Sequence, residues 1–246
     1  MGHTANIIIN EIYNLLREKT IKDIIDLETD NIYNKSAVSV IIKRYIDKNS
    51  IYNLDVLKDY KIVVKFIPVD LKYNCFEAMS FSSTSLYNIL FENWDSPDVL
   101  ERASLRNQLN FNYLFIPIVK IKIKGVYNNY YDWEIGDFTF WEPTRNELNL
   151  ISAEWNQVKE VIKNGVVLRK VKYGKSFRTT NNLPKQSKTN FIHLRPHAKN
   201  SFDYDIPYLK YTNGAVEITK QSFWLNKKFI NQLLEKYKWK KILKEE

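Results

Sequence analysis

Arg195, His197 and Lys199 stand at alternate positions in FIHLRPHAKNS, where a short apolar run opens into a basic loop. Downstream, ITKQSFWLNKKF supplies Lys220, Trp224, Lys227 and Lys228 around a second apolar run. An arginine makes two parallel hydrogen bonds to a guanine edge, and an aromatic ring packs on a base or its methyl group. Lysines and a helix N-terminus suit phosphates. The same spacing reads equally as a basic surface loop with Trp224 in the core.

Lys65 is the second unusual residue. It interrupts KIVVKFIPVD, where Val63, Val64, Phe66 and Ile67 are strand formers and Pro68 closes the run. An ammonium in such a strand is costly without a partner or a task. Other chemistry has little support. His193 and His197 lack an evident third metal ligand, and Cys75 is the single thiol. Neither Gly-x-Ser-x-Gly nor a P-loop occurs. The aromatic run Tyr127–Trp141 suits a packed core better than a base-stacking platform.

The elements that position these residues follow from periodicity. Residues 7–29 read as two helices broken near Thr20, and 36–48 as a third. A strand at 60–69 is expected to pair with one at 75–84. Ser96-Pro97 suits a helix start, running to about Asn107. Residues 112–124 read as one long strand, 126–142 as further strand, and 147–163 as an amphipathic helix ended by Asn164-Gly165. Residues 174–189 read as a polar, mobile loop, and Asn226 as the cap of a helix over 227–244. Helices alternating with strands predict an α/β or α+β fold with a mixed sheet flanked by helices.

Charge is uneven along the 246 residues. Residues 1–164 hold 19 Lys and Arg against 22 Asp and Glu, whereas 165–246 hold 18 against 6. A basic C-terminal third on a near-neutral body favours a polyanion, nucleic acid before an anionic membrane. No apolar run approaches the ~20 residues of a membrane span. Together with the single cysteine, this predicts a cytoplasmic protein. Met1-Gly2-His3 reads as an expression scar and 1–6 as a linker, with the natural chain extending further upstream.

The pair HLRPHAKNS and TKQSFWLNKKF resembles the C-terminal signature of the MutH/Sau family. That family joins the mismatch-repair nicking endonuclease MutH and the GATC-cutting type II restriction endonucleases. NKSAVSVIIKRY resembles its first motif, KIVVKFIPVD its catalytic strand, and RNQLNFNYLFIPI the segment that follows. The resemblance spans roughly 30–245. It implies a MutH-like PD-(D/E)xK fold over 7–246, one domain with two lobes around a DNA cleft and a basic reading region at about 165–246.

The resemblance also implies a degenerate catalytic set. Lys65 falls on the lysine that orients the attacking water. Val63 falls where a metal-binding glutamate belongs, Asp55 or Val56 where the aspartate belongs, and Lys43 on an acidic position. The second lysine falls near Gln108 or Leu109. Larger Sau-type enzymes look like two such units, the C-terminal one without catalytic residues. This chain is similar to that second unit. The resemblance implies an allosteric effector that binds double-stranded GATC DNA and stimulates an N-terminal catalytic half, without a cofactor of its own, magnesium being expected in that half. Arg195, Pro196 and His197 fall on the major-groove loop, Trp224 on the adenine-sensing position, and Lys35 and Ser36 on the minor-groove loop. Lys175, Arg178, Lys199, Lys220, Lys227 and Lys228 are expected to face phosphates. The alternatives are an active nuclease with a carboxylate relocated to Asp59, Asp70 or Glu77, and a scaffold that has lost DNA binding.

Overall fold

A computed structural model describes residues 2–26, 37–120, 122–123, 126–127 and 130–239. In chain order it begins with α1 (His3–Leu16), α2 (Ile21–Ile24) and α3 (Ala37–Asn49), then β1 (Ile62–Val69), β2 (Met79–Thr84), α4 (Leu86–Phe91) and α5 (Ser104–Gln108). Next come β3 (Asn112–Val119), β4 (Lys122–Ile123), β5 (Val126–Tyr127), β6 (Glu134–Ile135), β7 (Thr139–Trp141) and α6 (Arg145–Lys163). The chain closes with β8 (Leu168–Tyr173), β9 (Ser176–Asn181), β10 (Ile192–Pro196), α7 (Ile206–Tyr211), β11 (Gln221–Leu225) and α8 (Lys227–Lys236). It divides into two compact units. The first holds residues 1–77, 111–142 and 230–246, and the second holds 78–110 and 143–229.

The first unit is built on a mixed sheet. β1 and β3 run parallel, and β6 and β7 pair antiparallel with β3. Strand alternation sends Ile62, Val64 and Phe66 into one apolar cluster with Leu114 and Ile116 of β3 and the buried faces of α1 and α3. The expected partner of β1 at 75–84 is a correction: β2 belongs to the other unit's sheet. β3 is apolar on both faces, as a central strand between neighbours must be. Residues 3–6, expected in a linker, form the first turn of α1 with Ala5 buried.

The second unit carries an antiparallel sheet in the order β10–β11–β2. Against β10 packs α6, whose buried Ile151, Trp155, Val158 and Ile162 recur at helical spacing. Thr144 and Glu147 form a capping box at its start. Gly165, at φ +96°, follows its end. The helix expected from Ser96 is delayed to α5, because Ser96 and Asp98 spend their side chains on the backbone N–H groups of Asp98 and Leu100 in successive turns. The loop expected over 174–189 contains instead the return strand of a two-stranded ribbon, β8–β9. The last helix is shorter than expected, ending at Lys236. Among the described residues no helix is long and apolar enough to cross a membrane.

Candidate nucleic-acid interface

Strands β10 and β11 bring the C-terminal candidates together. Their antiparallel register sets His193 opposite Trp224 and Arg195 opposite Ser222, so these four share one face. The other face sends Leu194, Phe223 and Leu225 into the interior. Arg195 and Pro196 are exposed at the open end of the pair. The Arg195 guanidinium lies 4.0 Å from the Trp224 ring centroid, and the His197 ring stands 5.4 Å from the same indole. An arginine stacked on an indole is held in one plane, which preserves its forked donors for a planar acceptor pair.

The strand that presents Arg195 is clamped at its root. Glu154, buried on α6, accepts hydrogen bonds from the backbone N–H groups of Asn190 (2.6 Å), Phe191 (3.0 Å) and Ile192 (2.8 Å). Asn226 donates through Nδ2 to the carbonyl and hydroxyl of Thr189 at 3.0 Å each. Its Oδ1 thereby remains to accept from Nδ1–H of the buried His193. Neither Glu154 nor Asn226 was recognisable as part of a site, since their partners lie more than 30 residues away in the chain. β11 also holds three buried polar atoms without a hydrogen-bond partner among the described residues, Gln221 Oε1, Ser222 Oγ and Trp224 Nε1. Such a concentration on one five-residue strand is unusual for a structural element.

Burial pushes the His193 pKa below its ordinary value, with the Asn226 hydrogen bond acting in the opposite sense. The unfolded chain therefore binds a proton that the folded one resists. Stability is full above the ordinary histidine pKa of ~6.5 and falls as pH drops from there through the folded value. Urea denaturation at pH 7.5 and 5 is expected to show this loss in the wild type and a weaker one in His193→Gln. An equal loss in both contradicts the assignment.

The remaining cations are arranged less uniformly than expected. Lys175, Arg178, Lys199 and Lys228 are exposed, and Lys227 is half-buried. The Lys220 ammonium is paired with Asp203 at 2.7 Å, and Asp203 also accepts from the backbone of Lys199, which ties the two ends of the 199–203 loop together. Lys35 and Ser36 lie outside the described residues.

In the first unit, Lys65 projects from β1 on the face opposite the apolar cluster. Its neighbours across β3 and β7 are aromatic. Val63 pairs with Tyr113, Lys65 with Phe115, and Trp141 stands 5.3 Å from Tyr113. Burial alone lowers the Lys65 pKa and raises that of the Tyr113 hydroxyl. Asp55 is exposed and paired with Lys58 at 2.7 Å, which lowers its pKa. Lys43 is exposed on α3. Asp70 is committed to its own turn, accepting from the N–H groups of Lys72 and Asn74 at 2.8 and 2.9 Å. Asp59 and Glu77 are exposed.

This donor set does not fit a magnesium ion, which needs convergent carboxylate oxygens. Val63 has none, Asp55 is exposed and paired with Lys58, and Lys43 brings like charge near Asp55. Lys65→Met is expected to stabilise the fold by ~1 kcal/mol at pH 7, since it removes a half-buried, uncompensated charge. The lowered pKa makes the wild type gain stability as pH rises toward ~10.4, so the advantage of Met shrinks there. A destabilised variant in urea unfolding would show that Lys65 has a partner or a task.

No protein-family model matches the chain. It is similar to the type II restriction enzyme Sau3AI of Staphylococcus aureus, with 28% identity over 193 residues, covering 71% of this chain and 38% of that enzyme. The matched region thus spans well under half of the enzyme's length. The similarity supports a relationship to restriction enzymes.

Proposed function

We propose that the chain is a DNA-binding unit of a restriction-endonuclease-related protein, with a MutH-like fold, that reads GATC in duplex DNA and does not itself cut. The observation that carries this reading is Arg195, stacked on Trp224 at the exposed end of a clamped strand. Arg195 pairs with a guanine edge in the major groove, Pro196 and His197 shape the loop beside it, and Trp224 packs near the A·T steps. Lys199, Lys227 and Lys228 meet phosphates. Similarity to a type II restriction enzyme makes DNA the natural polyanion for this basic region.

Cleavage belongs, in this reading, to a separate catalytic part with its own magnesium. DNA bound here favours the cleavage-competent arrangement of the whole protein, a coupling that must act reciprocally on the two sites. Incubating the chain with magnesium and a plasmid containing GATC is expected to leave the plasmid intact. Nicking at GATC that Lys65→Ala abolishes would overturn the proposal in favour of an active nuclease.

A further inference from the structure

Among the described residues the β8–β9 ribbon pairs with no third strand. All residues from 169 to 179 are exposed, including Tyr173 at 63% and Phe177 at 71%. A lone two-stranded ribbon is marginal in water, and this one bears Arg169, Lys170, Lys172, Lys175 and Arg178 with no carboxylate among them. From residue 161 to 202 the chain contains no Asp or Glu at all. Like charges along it cost some stability at low salt, and an anion lying against it would offset that cost. Its geometry is nevertheless regular. Six residue pairs are in register, and Gly174, at φ +58°, occupies the first central position of the two-residue turn, where a primed hairpin turn requires positive φ. Arg178 stacks on Tyr173 at 5.0 Å across the strands.

The ribbon shares a cleft of about 570 Å³ with the end of the Arg195 strand, lined by Arg169, Lys170, Arg178, Pro196 and Tyr204 and by one carboxylate, that of Glu217. We infer that β8–β9 is a second DNA-contacting arm, which enters the major groove beside the recognised sequence and extends the footprint beyond it. The inference rests on the DNA-binding reading above. A two-stranded ribbon fits the ~12 Å major groove and is too wide for the ~6 Å minor groove. Six residues per strand reach ~20 Å, about six base pairs beyond the turn of the duplex where Pro196 sits. The cleft then takes the sugar–phosphate strand that runs between the two protein edges. Arg178 and Tyr173 supply a cation and a stacking face at the ribbon surface.

The test uses Lys172→Gln/Arg178→Gln and the wild type, titrated against duplexes of 10 and 22 base pairs carrying GATC and against permuted controls, over a range of salt. Both positions are exposed, so the double variant loses no buried packing, and circular dichroism checks its fold. The wild type is expected to bind the long duplex at least tenfold more tightly than the short one. The variant is expected to lose that gain, with a salt slope smaller by about two contacts, while keeping its preference for GATC. If the variant binds the long duplex like the wild type and both prefer GATC, the arm is refuted and the reading site stands. If the wild type shows no preference for GATC, the reading site fails, and the arm fails with it unless the length dependence and its loss persist. If the variant is altered only in binding vesicles of anionic phospholipid, the ribbon's partner is a membrane surface and the inference is overturned.

Discussion

Arg195→Ala is expected to cost ~1–3 kcal/mol of discrimination between GATC and a permuted duplex, roughly a 5- to 150-fold loss of preference. The guanidinium lies over the Trp224 ring, 4.0 Å from its centroid, and the register of β10 with β11 fixes where it sits. A guanine then meets two donors already aligned. Arg195→Lys restores the charge without the fork, so it is expected to recover phosphate-like affinity and little of the preference. Anisotropy titrations of both variants on both duplexes check this. An equal loss on unrelated DNA would make Arg195 a general cation.

Glu154→Ala carries the largest expected effect on stability, ~3 kcal/mol in urea denaturation. The buried carboxylate is the acceptor for three consecutive N–H groups at 2.6–3.0 Å, and removing it leaves them without that acceptor, the Ile192 N–H in a buried position. Glu154→Gln keeps the shape but turns one oxygen into a competing donor, so it is expected to fall between wild type and Ala. A loss below ~0.5 kcal/mol for Ala would mean that the loop before β10 finds other acceptors. The charge-bearing clamp also explains why β10 begins where it does, between a polar loop and a strand of only five residues.

Much of this architecture is legible in the sequence wherever one periodicity acts over a long enough span. α1, α3 and α6 bury residues at helical spacing, and α6, expected over 147–163, spans Arg145–Lys163. β1, β10 and β11 are short apolar runs bounded by polar residues, and their existence follows from composition. Pairing does not follow. β1 finds β3 rather than the nearer β2, because the choice depends on which apolar faces close the sheet. β9 falls inside the stretch 174–189 whose composition suggests a loop, because a strand without a buried face shows no hydrophobic alternation. The one local signal, Tyr173-Gly174-Lys175-Ser176, is a turn in an otherwise cationic tract.

The same division holds for the candidate site. That Arg195 and Trp224 belong together was readable from two strand-like runs ending in basic residues and from the resemblance those runs carry. That Lys220 is paired with Asp203, and that Glu154 and Asn226 anchor the strand, depends on contacts between distant segments. Lys65 shows the limit of reading one strand alone. The sequence raised the question of its carboxylate partner, and the answer lies in the neighbouring strands, which present Tyr113, Phe115 and Trp141 on that face.

The measurement that tests the central claim most directly is a fluorescence anisotropy titration of two labelled duplexes at ~150 mM salt, where nonspecific binding is weak. One duplex contains GATC and the other the same bases permuted. The account predicts at least ~100-fold tighter binding to GATC, within the range of specific recognition. Equal, weak binding to both would contradict it and leave the Arg195 edge as a general polyanion surface.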